Sequence, residues 1–274
     1  MIKTKEPKIS IVMPSYNQAQ YIERSILSVI NQNYTNVQLI IIDGGSDDGT
    51  IKIIKKYIKY IDYYVSEPDD GQSEALNKGF KIANGDIYGW LNSDDLYLEN
   101  AFDSIVRAFQ NNALKSIVFG DWVSINENDK ITDYHFAFDF NLSHFKYEGF
   151  HLNAQSMFWL KGVHERFSGF EVNLYNTMDY QMILEFGINE RNTSFLRVPQ
   201  SFGAFRRYHG QKTAGMTDKV IKEHIYIAKK YHYEDKYTNF GIIKRVYFRF
   251  RRSFWYWRRG GFKELNKRLK MAYF

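Results

Sequence analysis

Acidic side chains that follow apolar runs are the first candidates for chemistry in this chain. Asp94 and Asp95 follow an apolar run that contains Trp90, with Asn92 and Ser93 between the run and the pair. Two adjacent carboxylates repel each other unless a cation or a hydrogen-bond donor intervenes. The chain has no cysteine, and oxygen ligands favour Mg²⁺ or Mn²⁺, which bind through one or two carboxylates together with substrate phosphates. Taken alone, such a pair is more often a helix start, with Asp95 as its cap.

Asp43 is the second candidate, because it ends the apolar run 37–42 (VQLIII). A carboxylate at the end of a buried strand is costly unless it accepts hydrogen bonds, and a nucleotide base or ribose supplies donors. The segment DGGSDDGT also suits a turn and a helix cap, which is the commoner role for such a segment alone. Gly44 and Gly45 lack the GxGxxG spacing, so the dinucleotide fingerprint is not present.

The elements that must position these acids alternate through the first 110 residues or so. Strand-like runs cover residues 8–13, 37–42, 61–65 and 86–91, and helical spacing covers residues 19–32, 50–60, 73–83 and 98–110. Strands that are apolar on both faces belong to a covered, mainly parallel sheet. The pattern predicts an α/β doubly wound sheet, whose ligand crevice lies outside the carboxyl ends of the strands. The acidic loops fall at those ends.

Composition and charge divide the chain into a body and a basic extension. Residues 240–274 contain eleven Lys and Arg, eleven aromatic residues and the single acid Glu264, a net charge of +10. The rest of the chain then holds 26 basic and 30 acidic residues, or about −4. We predict one domain over residues 1–239 and an extension over residues 240–274. Neither a signal-peptide core nor a membrane-spanning run is apparent, which predicts a cytoplasmic protein.

Cations interleaved with aromatic residues are typical of segments at a membrane surface. The extension therefore predicts peripheral attachment to the anionic inner face of the cell membrane. Packing of the extension on its own domain, or on a second subunit in a homo-oligomer, stays open. The same composition could bind RNA by stacking, but no RRM, KH or zinc signature accompanies it, so we expect no nucleic-acid partner.

Four segments in fixed order carry a resemblance to a known family. They are IVMPSYNQAQYIERSILSVINQNY, LIIIDGGSDDGT, SEPDDGQSEALNKGFKIANGD and YGWLNSDDLY. Together they resemble family 2 glycosyltransferases, and most closely the subgroup that builds bacterial surface polysaccharides. The resemblance is strong over residues 8–110 and looser over residues 150–213. It implies a GT-A Rossmann-like fold and metal-dependent transfer of a sugar, of the hexosyltransferase type, with inversion. The donor is a nucleotide-diphosphate sugar, expected to be UDP-linked, and the acceptor is a saccharide or is lipid-linked, in the synthesis of cell-surface polysaccharide or glycoconjugate.

The family also implies roles for individual residues. Asp95 matches the metal ligand of the DxD-type motif, with Mn²⁺ or Mg²⁺ as the cofactor, and Asp179 matches the base that deprotonates the acceptor. Residues implied to contact the nucleotide-sugar are Pro14, Ser15, Tyr16, Asp43, Gln72, Ser73, Asn77, Ser93 and Asp94. The loop that closes over the diphosphate would supply Arg206, Arg207 and Lys212. In the family a His follows the Arg by two residues; this register favours His209 as a further metal contact, with Tyr208 as the other alignment.

The chain departs from the family pattern at Gly44. Many family members have a second Asp there, so a base contact from that position is lost.

Two other functions are also considered. A non-catalytic GT-A-like protein that binds a sugar or a partner is the alternative function, and the presence of Asp43, Asp95 and Asp179 argues against it. A nucleotidyltransferase would need a glycine-rich basic loop after the first strand, and residues 14–17 (PSYN) are not such a loop.

Overall fold

The fold is built on one sheet of nine strands. The computed structural model describes residues 6–149, 152–212, 218–234 and 237–271, the last of these without side chains at 259, 260 and 262–271. In spatial order the strands run β3, β2, β1, β4, β8, β6, β9, β5, and β7 pairs with β6. Their bounds are β1 Ile9–Ser15, β2 Val37–Asp43, β3 Tyr63–Ser66, β4 Ile87–Trp90, β5 Leu96–Tyr97, β6 Ile117–Ile125, β7 Ile131–His135, β8 Met157–Leu160 and β9 Phe195–Arg206.

Helices connect the strands and cover both faces of the sheet. They are α1 Ile22–Ile30, α2 Thr50–Lys56, α3 Gln72–Ile82, α4 Ala101–Asn111, α5 Leu142–Glu148, α6 Lys161–His164, α7 Met178–Asn189, α8 Asp218–Lys230 and α9 Asn239–Met271. The last helix is broken at Gly261, where φ is 63°. Three short 3₁₀ helices cover Ile58–Tyr60, Ala154–Ser156 and Asn192–Ser194.

Alternation along the central strands explains why both faces are covered. Val12 and Ile40 point to the side that α3 covers, whereas Ile11, Met13 and Leu39 point to the side of α1 and α4. Each face therefore buries an apolar layer, as expected for strands without a polar face. The helix α3 approaches β1 closely, because a Cβ atom on Gly79 would lie 2.3 Å from Val12 Cγ1.

The predicted α/β class, with a mainly parallel sheet flanked by helices, is confirmed. Strands β3, β2, β1 and β4 are parallel neighbours, and β6 and β9 form a second parallel pair. Antiparallel ladders through β8, β5 and β7 are short and extend the sheet with the irregular second half of the sequence. The predicted helix 50–60 is in fact α2 followed by a 3₁₀ turn.

The C-terminal helix begins next to the predicted domain boundary and packs on the body. Phe248 and Tyr256 are buried, and Phe248 contacts α5 through the rings of His144 and Tyr147. Within the part of the chain that the structure describes, no helix combines the length and the apolar character needed to cross a lipid bilayer. The division at residue 239 stays a prediction.

Candidate active site

The acid pair lies in the loop between β4 and β5, and the two carboxylates differ in exposure. Asp94 is partly exposed, and its Oδ2 accepts a hydrogen bond of 2.9 Å from the Tyr208 hydroxyl. Asp95 is 0% exposed; its Oδ1 accepts from the Arg206 backbone N–H at 2.8 Å and its Oδ2 from Asn92 Nδ2 at 3.1 Å. Burial raises the pKa of both carboxyls, and the Asp94 charge raises the pKa of Asp95 further.

Arg206 is buried and binds the loop that carries the acid pair. Its side chain is 0% exposed, its Nε donates to the Asp94 carbonyl at 2.7 Å, and its guanidinium forms an ion pair with Asp129. The guanidinium carbon also lies 4.7 Å from the centroid of the Tyr21 ring. A guanidinium held in this way does not face the cleft, whereas Arg207 is exposed. The placement favours Arg207 as the diphosphate contact and gives Arg206 a supporting role.

The same loop carries Tyr208 and His209, the two candidates for the family His. Tyr208 reaches Asp94 through its hydroxyl, and its ring centroid is 4.8 Å from that of Tyr21. His209 is exposed. Tyr208 thus adjoins the acid pair and His209 does not bond to it in the described residues, and the predicted metal contact of His209 stays a prediction.

Asp43 is occupied by donors from its own fold. It is 0% exposed, and it accepts from the Ser46 backbone N–H at 2.9 Å, the Ser46 hydroxyl at 2.6 Å and the Ser66 hydroxyl at 2.7 Å. These bonds join the loop after β2 to the end of β3. The carboxylate therefore stabilises the turn, which is the role that such a segment more commonly has. A base or ribose contact from Asp43 stays a prediction.

Asp69, which the sequence analysis did not single out, lies next to Gly44. A Cβ atom on Gly44 would lie 2.9 Å from Asp69 Oδ1. Asp69 is partly exposed, accepts the Gly71 backbone N–H at 2.9 Å, and has a pKa raised by burial. A carboxylate from the loop after β3 therefore fills the space next to the position where many family members have a second Asp. The acidic segment SEPDDG could have pointed to Asp69, but its closeness to Gly44 is apparent only from the folded structure.

A chain of amide side chains connects the acid pair to the loop after β9. Asn92 Oδ1 accepts from Trp90 Nε1 and from Gln72 Nε2, each at 2.7 Å, while Asn92 Nδ2 donates to Asp95. Gln72 Oε1 in turn accepts from Lys212 Nζ at 3.2 Å. Asn92 is the centre of this network, which places Gln72 and Lys212 beside the acid pair, and we call this region the cleft.

Asp179 lies in the first turn of α7, next to Lys212. Its side chain is partly exposed, yet burial raises the pKa of the carboxyl to about 7, against the opposing influence of the Lys212 ammonium. Burial also lowers the pKa of Lys212 to about 8. Lys212 Nζ lies 4.1 Å from the centroid of the Tyr175 ring, as does Lys219 Nζ. A carboxylate poised near neutral pH beside a cation suits a general base.

Two residues that are predicted to contact the nucleotide-sugar, Ser73 and Asn77, bind the segment before α7. Asn77 exchanges two hydrogen bonds with the Phe170 backbone, at 2.7 and 2.9 Å, and the Ser73 hydroxyl donates to the Leu174 carbonyl at 3.4 Å. Both residues lie on α3, so this helix connects the donor-side loops with the predicted acceptor side. Their predicted contact with the nucleotide-sugar stays a prediction.

The remaining predicted residues lie at the end of β1 and in the loops after β1 and β4. Pro14 and Ser15 are buried, Tyr16 is exposed, and Ser15 pairs with Asp43 in the sheet register. Ser93 is buried, and its carbonyl accepts from the Ser25 hydroxyl at 2.9 Å. The exposed Tyr16 ring is the member of this group that could stack on a base without rearrangement.

Glu223 fixes the start of α7 and was missed from the sequence. Its carboxylate accepts from the backbone N–H groups of Tyr175, Asn176 and Thr177 at 3.0 to 3.1 Å, and from the Thr177 hydroxyl at 2.9 Å. These donors come from the turn that carries Asp179 into the cleft. Glu223 thus acts as a cap supplied by a different helix, α8.

We expect Glu223→Gln to lower the melting temperature by several degrees. An amide offers one acceptor oxygen in place of two, and a buried donor left without a partner costs about 1 to 3 kcal/mol. The matched control is Glu165→Gln, which changes the same charge at an exposed position. Calorimetry of the two variants decides the matter, and equal melting temperatures would show that the cap contributes nothing.

The donor set fits an ion that is held mainly by its substrate. The residues that the structure describes contain no group of three or more His, Asp or Glu side chains arranged to hold a metal. They do offer two adjacent carboxylates, Asp94 partly exposed and Asp95 buried, whose pKa values are raised mainly by burial. Mg²⁺ and Mn²⁺ sites of one or two carboxylates completed by phosphates and water match this arrangement.

Comparison with known proteins gives a consistent result. The family model described as Glycosyl transferase family 2 matches residues 10–175, more than half of the chain. A relative in Escherichia coli, UDP-Glc:alpha-D-GlcNAc-diphosphoundecaprenol beta-1,3-glucosyltransferase WfgD, is 33% identical over 44% of this chain and 47% of its own. The chain matches less than half the length of the curated relatives.

Two solved structures are similar in fold. Staphylococcus aureus TarS 1–349 in complex with UDP-GlcNAc has a TM-score of 0.67 at 14% identity, over 88% of this chain and 71% of that one. The mannosyltransferase PcManGT from Pyrobaculum calidifontis, in complex with GDP-Man and Mn²⁺, has a TM-score of 0.54 at 14% identity, over 89% and 74%. These likenesses confirm the expected GT-A-type arrangement of the sheet and helices.

Proposed function

The chain belongs to glycosyl transferase family 2, and from this premise we propose that it transfers a hexose from a UDP-sugar to a saccharide or lipid-linked acceptor, with inversion and with Mg²⁺ or Mn²⁺. The observation that carries the proposal is a hydrogen-bonded series, Asp95, Asn92, Gln72, Lys212, that leads from the acid pair to the neighbourhood of Asp179. The Lys212 ammonium at the end of this series lowers the pKa of the Asp179 carboxyl.

The roles of the chain's own residues follow from this arrangement. Asp179 takes the proton from the acceptor hydroxyl while that oxygen forms a bond to the anomeric carbon. The bond between the anomeric carbon and the diphosphate oxygen breaks, and the diphosphate leaves with the electron pair. Lys212 and Arg207 offset the charge that develops on the leaving group, which is the electrostatic contribution expected of such cations. Attack opposite the departing diphosphate gives inversion.

Asp95 would be the principal protein ligand of the metal, whose chemistry would be to neutralise the leaving diphosphate, and Asp94 would contact the nucleotide-sugar. The bonds from Asn92 and from the Arg206 backbone would fix Asp95 in place for this role, and Asp94, the more exposed of the two, would face the donor. The Mn²⁺ in the PcManGT complex supports this choice of ion.

The donor and acceptor classes are supported by the relatives. WfgD is named for UDP-Glc and for a diphosphoundecaprenol-linked acceptor, and the TarS structure contains UDP-GlcNAc. We propose a UDP-sugar donor and an acceptor in surface polysaccharide or glycoconjugate synthesis on this basis. Tyr16 would stack on the base, and Asp69 would contribute the polar contact that Gly44 cannot.

A donor screen followed by product analysis tests the proposal. Nucleotide-sugars are added with and without Mn²⁺, and the melting temperature is recorded; a ligand at 100 times its dissociation constant adds about 2.7 kcal/mol. The stabilising donor is then offered to diphosphoundecaprenol-linked GlcNAc, and the product's anomeric configuration is read by NMR. Stabilisation without transfer or donor hydrolysis would favour the non-catalytic alternative, and a retained configuration would contradict inversion.

The pH dependence of kcat/KM gives a sharper prediction. This constant reports the free enzyme's essential groups. Asp179 must be deprotonated, so kcat/KM should fall about tenfold per pH unit below its pKa of about 7; Lys212 must be charged, so activity should fall above its pKa of about 8. We expect a maximum between these two values.

The Lys212→Met variant is the test of the alkaline limb. It should lose that limb, and its acid limb should move to higher pH because the ammonium that lowers the pKa of Asp179 is gone. Lys219→Met is the matched control: it removes the other cation on the Tyr175 ring and should keep both limbs, with the alkaline limb at higher pH because the Lys219 charge lowers the pKa of Lys212. An unchanged profile in Lys212→Met would contradict the assignment.

A further inference from the structure

One face of α9 is fixed to the body by buried and polar contacts. Arg252 forms an ion pair with the buried Glu148 at 2.7 Å, and Glu148 also contacts His144. Lys244 Nζ donates to the Tyr147 hydroxyl at 2.9 Å. Together with the buried rings of Phe248 and Tyr256, these contacts set the rotation of the helix about its axis up to residue 258, and therefore which residues point away from the body.

The opposite face of α9 is an exposed apolar stripe. Its members recur at intervals of three and four residues, which on a helix of 3.6 residues per turn places them in one line. Phe250 is 73% exposed and Ile243 is 66% exposed, which is unusual for side chains of this size. The stripe consists of Phe240, Ile243, Tyr247, Phe250, Phe254 and Trp257, with Val246 beside it. At 1.5 Å per residue it extends for roughly 25 Å.

Cations flank the stripe and no acid accompanies them. Arg251 and Arg258 lie along one edge and Arg249 lies along the other, and all three are exposed. Between residues 240 and 258 there is no Asp or Glu. An apolar strip bordered by Arg is the arrangement by which a helix lies in the plane of a membrane interface, with its aromatic side chains inserted and its cations at the headgroups.

We propose that this stripe is a docking surface for a lipid leaflet that contains anionic phospholipid. The inference concerns a surface separate from the cleft and does not rest on the proposed activity. A second copy of the chain is the main competing occupant, because the three-four spacing also suits a coiled-coil seam. Self-pairing through the stripe would bring Arg251 and Arg258 of one helix close to cations of the other, with no acid to pair them. An anionic leaflet neutralises these charges.

Vesicle co-sedimentation of the full chain tests the surface. The unmodified chain should bind vesicles of phosphatidylcholine with phosphatidylglycerol, bind pure phosphatidylcholine far less, and release as salt is added. Phe250→Ser with Phe254→Ser should abolish binding without lowering the melting temperature, because both side chains are exposed. Replacing Arg249, Arg251 and Arg258 by Gln should weaken binding about 10²-fold, given the affinity that each basic residue adds near an anionic surface.

The control variant changes an exposed apolar residue outside α9. Leu114→Ser removes an apolar side chain that is 89% exposed on another part of the molecule, and it should leave vesicle binding unchanged. Equal binding to both kinds of vesicle, or full binding by the Phe250 and Phe254 double variant, would overturn the proposal. So would a dimer in light scattering that the double variant converts to a monomer. Donor-induced stabilisation, measured on the same samples, reports separately on the cleft.

Discussion

The Asp179→Asn variant is expected to bind the nucleotide-sugar with nearly unchanged affinity and to transfer sugar about 10² to 10⁴ times more slowly. The amide keeps the same shape, and its oxygen can still accept the 2.8 Å hydrogen bond from the Tyr180 backbone N–H. The start of α7 should therefore stay in place. What the variant loses is the capacity to take a proton from the acceptor, which is the role proposed for a carboxyl with a pKa of about 7.

The matched control for this variant is Asp218→Asn. Asp218 is also in the first turn of a helix, α8, but it is exposed and belongs to no part of the cleft. Donor affinity is measured by thermal stabilisation and transfer by single-turnover kinetics. Loss of donor binding together with transfer would mean that Asp179 supports the donor, and transfer at the unmodified rate would remove it as the base.

The position of the acid-bearing loops could be predicted from the sequence because two independent signals coincide there. Runs such as residues 37–42 are apolar on both faces, which requires a covered parallel sheet, and the carboxyl ends of parallel strands meet at one edge. Asp43 follows such a run directly, and Asp95 comes four residues after Leu91, the last apolar residue of another. In the structure, Ser15 at the end of β1 pairs with Asp43 at the end of β2, so the two carboxyl ends do meet.

The partners of these acids could not be predicted in the same way, since they come from distant segments. The backbone N–H that binds Asp95 belongs to Arg206, 111 residues away, and Glu223 is 46 residues from the Thr177 that it caps. Neither pair has a periodic signal. Whether an arginine faces a ligand or supports a loop depends on the path of β9, and a family motif does not encode that path.

The C-terminal segment shows how two alternatives can apply to different faces of one helix. Its composition was compatible with a membrane surface and with packing on the domain. The structure packs Phe248 and Tyr256 inward and leaves the line through Phe250 and Phe254 exposed. The inward face depends on Glu148, whose place beside Arg252 follows from the tertiary fold. The three-four spacing of the outward face could be read from the sequence.

Asp95→Asn should abolish metal-dependent transfer, with a loss of about 10² to 10³-fold or more, because a metal that neutralises a leaving diphosphate contributes several kcal/mol and each 1.36 kcal/mol is tenfold in rate. The variant keeps an oxygen for the Arg206 N–H. Its new N–H₂ would face Asn92 Nδ2, which already donates to this position while Asn92 Oδ1 serves Trp90 and Gln72. A fall in stability of about 1 to 3 kcal/mol should therefore accompany the loss.

This structural cost makes a metal-specific measurement necessary. Stabilisation by donor is recorded with Mn²⁺ and with chelator, and only the difference between the two conditions is compared. The unmodified chain should show a large difference and Asp95→Asn almost none, since stability lost from the fold cancels in the difference. Asp129→Asn is the matched control: it removes an acid that pairs with Arg206 and Arg24, outside the acid pair, and should retain the metal response. Full activity of Asp95→Asn in chelator would refute the metal role, because the remaining carboxylate, Asp94, would then suffice without any cation.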